Sequence, residues 1–375
     1  MYYKPNFSKV VDRYKDWYKP NGKIKYLVIL IPSEWNSYDY DLFIDQKSKK
    51  PLSKYNFKDH KELYNYIDYS ISLISQYWKL KLDWNLDDDM IPTHTVKLGY
   101  AETAAAIAGV DPVYSTIGQT SYLEPIISSY DAFDLENLKF SKNTEWSLIL
   151  KEGLEYLLKK AKGNFFVEGR FDASNPSDLA YQFRGKDIFL DFYDNPENVN
   201  KLLQKCTEVG IDFVEFFRTL IPSIEGGYPL TWHGGVWTPN KIYGHDGDNV
   251  ADQVSKSIFS KFLLPYHNKL SEHFGGSIFG RDAVSEHLWS EIPKINKIAA
   301  FAPRSIKDKY EIDSKVLRRI IEETNNLPLI LESSDMEIFM KYKNIVEERG
   351  IKTIFTAHCK NLGEAKRILE IVRGM

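Results

Sequence analysis

The feature that most constrains this chain is a run of alternating segments that begins near residue 160. Short apolar stretches at 164–168, 228–233, 276–279, 297–301, 328–332 and 352–356 read as strands. Segments with helically spaced apolar residues lie between or after them, at 196–220, 255–274, 283–291, 314–324, 336–349 and 362–373. Strands that alternate with helices form a parallel sheet covered by helices. Two more strands, at 25–31 and near 83–89, would complete an eight-stranded set. The predicted fold is an α/β chain of the (β/α)8 TIM-barrel type, read as one domain over residues 1–375 with residues 1–80 as an N-terminal elaboration. No Gly-x-Gly-x-x-Gly turn follows a predicted strand, which removes the dinucleotide argument for a doubly wound sheet.

Charge and cysteine content narrow the function classes. The chain has 375 residues and a formal net charge of −3. That balance argues against a general nucleic-acid binder, which carries a basic stripe. No apolar run is long enough for a membrane span, and the start lacks the apolar core of a signal peptide. Cys206 and Cys359 are the only cysteines, too few for a disulfide framework. A cytoplasmic protein without membrane or nucleic-acid partners is the expectation. Arg13 is the only arginine before Arg170, so the N-terminal half has almost no guanidinium forks for carboxylates or phosphates.

In a barrel, function collects just after each strand, at the C-terminal face. Reading those positions yields Arg170 and Asn175, then Trp232, His233, Trp237 and Asp248, then Glu332 and Ser333, and finally His358 and Cys359. The acidic turn Asp87-Asp88-Asp89 joins them, with His94 beside it. The expectation is that Asp89, His233, Glu332 and His358 converge on one cavity. Asp89, His233 and His358 would do acid–base work, because imidazoles titrate near neutrality and carboxylates fix their tautomers. Asp88, Arg170, Asn175, Trp232, Trp237, Asp248 and Ser333 would line the substrate. Glu332, His358 and Cys359 form the candidate metal set, although no Cys-x-x-Cys or His-Glu-x-x-His motif is present. Blander readings stand beside these: Asp335 caps the following helix, Cys206 is a small core residue, and the histidines satisfy backbone carbonyls.

Several segments in order carry a resemblance. They are Asp88-Asp89-Met90-Ile91-Pro92, then Asp191-Phe192-Tyr193-Asp194-Asn195-Pro196-Glu197 with its Leu-rich helix. Ser255-Lys256-Ser257-Ile258-Phe259 with Phe262 and Leu264-Pro265-Tyr266 follows, and then residues 328–335 and the C-terminal helix. Over about residues 80–375 this ordered set resembles the uroporphyrinogen decarboxylase superfamily. The resemblance implies a (β/α)8 barrel and either tetrapyrrole decarboxylation or corrinoid-linked methyl transfer. The decarboxylase pattern has an arginine-rich N-terminal segment for a many-carboxylate tetrapyrrole, and here that stretch holds only Arg13. The methyltransferase pattern implies zinc, held by a His-x-Cys on one strand and a Cys near the last, and a corrinoid presented by a partner protein. The first position reads Ser277-Ile278-Phe279, and Cys359 matches the second. Either His233 or Glu332 substitutes, or the chain uses no zinc. The expected activity is methyltransferase-like one-carbon transfer on a small-molecule substrate. A tetrapyrrole decarboxylase (a lyase) and a non-catalytic ligand- or partner-binding barrel are the alternatives.

Overall fold

The computed structural model describes residues 6–33, 51–116, 120–169, 174–230, 235–246, 248–280, 286–303 and 311–374. Six strands form a curled parallel sheet: β1 (Tyr26–Pro32), β4 (Tyr243–Asp246), β5 (Ser277–Gly280), β6 (Ile298–Ala302), β7 (Leu329–Ser333) and β8 (Thr353–Cys359). Their spatial order is β1-β8-β7-β6-β5-β4, so the first strand lies beside the last. Between β1 and β4 in sequence come β2 (Thr93–His94) and β3 (Phe166–Val167), which pair with each other in parallel.

Helices cover the sheet because their apolar residues recur on one face. In α2 (His60–Trp84) these are Leu63, Ile67, Ile74 and Trp78. Asp59 caps its start by accepting the Glu62 N–H, and Asn85 ends it with φ 47°. The other helices that matter here are α1 (Phe7–Tyr18), α3 (Glu145–Ala161), α4 (Pro176–Arg184), α5 (Pro196–Thr219), α6 (Leu264–Phe274), α7 (Ser314–Glu323), α8 (Met336–Glu348) and α9 (Leu362–Arg373). The expected helix at 255–274 is interrupted by a π-helical turn at Phe259–Leu263. Pro265 lies just beyond it and has no N–H to donate to the carbonyl four residues back, so the ladder shifts there. In place of the helix expected at 283–291, the described part holds short 3-10 turns at Glu286–Leu288 and Ile292–Lys294. None of the described helices is long and apolar enough to cross a membrane.

Two expected strands are corrected. Of the strand expected at 228–233, residues 228–230 do not join the parallel sheet, and residues 231–233 lie outside the described residues. Gly227–Leu230 pairs antiparallel with Val236–Pro239 as a hairpin. A turn with left-handed Glu225 (φ 48°) and Gly226 (φ 84°) leads into it, and Pro229 cannot donate to an interior ladder. The strand expected near 83–89 is also absent: α2 runs to Trp84, and the regular strand falls later, at Thr93–His94.

The acidic turn instead completes the edge of β1. The Asp89 N–H donates to the Val28 carbonyl at 2.7 Å, and the Val28 N–H donates to Asp89 Oδ2 at 2.7 Å. The Leu30 N–H donates to Asp88 Oδ2 at 2.9 Å, while Lys81 Nζ donates to the Leu30 carbonyl and to Asp88 Oδ2. Arg13 of α1 and Arg373 of α9 close on the fully buried Asp89 carboxylate. Carboxylate and ammonium groups thus take the place of a neighbouring strand.

Removing one partner of a buried charge pair costs about 3–5 kcal/mol. Asp89→Ala is therefore expected to lose about that much unfolding free energy in urea. Asp87→Ala, whose side chain is 53% exposed although it pairs with Arg13 at 3.0 Å, is expected to lose less than about 1 kcal/mol.

Candidate active site at the C-terminal end of the sheet

Side chains alternate along a strand, and register partners in a parallel sheet share a face. Phe355 meets Phe339 of α8 with ring centroids 5.2 Å apart, so Phe355, Ala357 and Cys359 face the helices. Thr356 and His358 therefore face the inside of the curl. In the neighbouring strand Glu332 pairs with Thr356 and Ser333 with Ala357. That places Glu332 on the inner face and Ser333 on the helix-covered one. The outcome is a contact between two of the expected residues: His358 Nε2 and Glu332 Oε1 lie 2.7 Å apart, both side chains largely buried.

Cys359 points the other way. Burial is the main cause that pushes its thiol up to about 12, and its Sγ lies 3.5 Å from the Ala357 carbonyl. Glu332, His358 and Cys359 therefore do not form one ligand set. Among the described residues no group of three His, Cys, Asp or Glu is arranged to hold a metal ion. The described donors do not fit the zinc–thiolate site that the resemblance implies.

The other expected residues separate. Asp88 and Asp89 serve the edge of β1, far enough down the strand to bond Val28 and Leu30 rather than its last residues. Asn175 caps α4, accepting the Asp178 N–H at 2.9 Å and donating to Asp178 Oδ2. Asp248 is fully buried behind β4, where its Oδ2 lies 2.7 Å from His267 Nε2 and its Oδ1 accepts the Ala251 N–H. Burial, with the Asp248 charge second, raises the Asp178 carboxyl well above the usual carboxylate range. Trp237 belongs to the hairpin, donates to the Ile224 carbonyl at 2.9 Å, and packs on Tyr14 of α1. Asp335 caps α8 through the Ile338 N–H, and Cys206 is buried in α5. Arg170, Trp232 and His233 lie outside the described residues.

Two residues not singled out from sequence, Glu168 and Lys97, are buried close to the β2–β3 pair. His94 turns toward α2, its Nε2 2.9 Å from Ser70 Oγ. His94 pairs with Val167, so Glu168, one residue further, lies on the side opposite His94 and is buried. The Thr95 hydroxyl donates to the Glu168 carbonyl and fixes that register. Nearby Lys97 is buried, with its ammonium 4.2 Å over the Tyr100 ring. Glu168 ends a predicted strand, and its place at the C-terminal end of that strand is the signal that could have found it.

Comparison with known proteins adds little to this geometry. No family model matches the chain, and no curated protein matches it. Among solved structures it is similar to native xylanase 10B from Thermotoga maritima, with a TM-score of 0.32 and 10% identity, covering 63% of this chain and 82% of that one.

One pH effect follows from the burial of His94. Burial pulls its imidazole from 6.5 down to about 3. Folded His94 is thus neutral across the range in which the unfolded chain takes up a proton. Its contribution to stability is complete above about pH 6.5 and falls as pH drops toward 3, by at most about 1.4 kcal/mol per pH unit. His94→Gln is expected to flatten the decline in urea midpoint between about pH 6.5 and 4.

Proposed function

We propose that this chain is a (β/α)8 barrel enzyme of the uroporphyrinogen decarboxylase type, performing one-carbon transfer on a small substrate at the C-terminal ends of its strands. The observation that carries the reading is the Glu332–His358 contact at 2.7 Å on the inner face. Chain order supports barrel closure: the parallel strands fall in the sequence β1 to β8, with β8 beside β1 and β2 beside β3. The Asp89–Val28 hydrogen bonds bridge β1 to the segment leading into β2. Ser174 Oγ, after β3, lies 2.6 Å from Tyr243 Oη of β4.

In this reading His358 exchanges the proton that a small thiol or amine must lose when it takes up a one-carbon group. Glu332 holds the imidazole in place and stabilises its charged form. Lys97 and Glu168 set the polarity of the opposite wall. Arg13 supports a small substrate over a tetrapyrrole: it is engaged with Asp87 and Asp89 at the edge of β1, so it does not serve as a carboxylate anchor. A corrinoid partner protein remains part of the proposal as the carrier of the one-carbon group.

The test supplies methylcobalamin with a panel of small thiols and amines and follows methylated product by mass spectrometry. Wild-type protein is expected to methylate at least one acceptor. His358→Gln is expected to lower the rate by roughly 10²–10⁴-fold, with a smaller loss for Glu332→Gln. Formation of coproporphyrinogen from uroporphyrinogen, or a His358→Gln variant as fast as wild type, would overturn the reading.

A further inference from the structure

A cleft lies beside β3, and neither Glu332 nor His358 lines it. α1, the end of α3, the start of β3 and the loop before the hairpin enclose about 370 Å³, within the range of small-molecule sites. Its walls are aromatic and apolar, chiefly Phe7, Phe165, Phe166, Leu158 and Ile224. The Phe7 and Phe166 rings meet edge to face with centroids 5.3 Å apart.

Two charged side chains border the cleft, and they are not equivalent. Glu225 is bonded to Lys15 at 2.9 Å, and that contact is the main cause holding its carboxyl below the usual range. Lys162 follows the end of α3 in the left-handed conformation, φ 42°. Its side chain makes no ion pair or hydrogen bond with another described residue. The acid is thus neutralised by a neighbour, and the cleft keeps one uncompensated cation at the rim of an aromatic cavity.

The geometry points to a second ligand site here, one that takes a small planar aromatic carboxylate. The ring stacks or edges against Phe7 and Phe166, as aromatic pairs prefer, and the carboxylate meets the Lys162 ammonium. Because Lys162 is solvent-exposed, the charge sets orientation and preference more than affinity. The site contains none of the residues assigned to one-carbon transfer, so it stands or falls independently of that proposal.

The experiment titrates 2-naphthoate into the full chain by calorimetry, with 2-naphthamide as the uncharged control. One-to-one binding is expected, weakened about tenfold or more by Ser223→Trp, which fills the cleft, and about three- to fivefold by Lys162→Glu. Both substituted residues are exposed, so the variants are expected to fold, and circular dichroism checks this. The amide is expected to bind about threefold more weakly than the acid. His358→Gln is expected to bind like wild type. No saturable binding up to about 1 mM, binding indifferent to both cleft variants, or binding lost in His358→Gln would overturn the proposal.

Discussion

The N–H and C=O groups along the free edge of β1 must be paired, because buried backbone groups without partners are costly. β8 serves one side of the strand. On the other side no regular strand among the described residues runs at the level of Val28 and Leu30, and Asp88, Asp89 and Lys81 supply the missing bonds from their side chains and from one backbone amide. Burying those carboxylates in turn requires cations. Lys81 comes from α2, Arg13 from α1 and Arg373 from α9. One hydrogen-bonding need on one strand thus ties together the N-terminal helix, the first crossover helix and the C-terminal helix. An acidic turn that resembles a substrate clamp is here engaged in holding the fold.

The same strand geometry that exposes this edge also sorts the last two strands. Alternation sends Glu332 and His358 inward and Cys359 and Ser333 outward. Adjacent residues in a sequence motif are therefore separated by the thickness of the sheet. A His-Cys pair on a strand cannot ligate one ion from one face without a bulge, and the register of β8 with β1 from Tyr26↔Thr353 to Pro32↔Cys359 runs without a break. What remains on the inner face is an imidazole and a carboxylate in hydrogen-bond contact, His358 and Glu332.

Legibility in the sequence follows burial. β5 to β7 are short, mostly apolar stretches whose positions are readable to within one residue, whereas β8 starts where expected to within one residue but runs three residues further, to Cys359. α9 is readable to the residue, 362–373, because its apolar spacing is regular and Asn361 caps it. β2 is two polar residues, Thr93 and His94, with no period to detect. The hairpin at 227–239 imitates a buried strand because Tyr228, Leu230 and Trp232 alternate. The counter-signals were Pro229 and the Glu225-Gly226-Gly227 turn. Glu332 and His358 were legible because both end strongly apolar strands. That Asp89 bonds Val28 was not, since an aspartate replacing a strand partner leaves no periodic trace.

Hydrogen exchange at individual amides tests the account of the β1 edge most directly. If Val28 and Leu30 donate to buried carboxylates, their amides exchange only when the whole sheet unfolds. They are then as protected as Phe355 in the neighbouring strand β8. Exchange at Val28 and Leu30 many-fold faster than at Phe355, under conditions where the fold is intact, would contradict it.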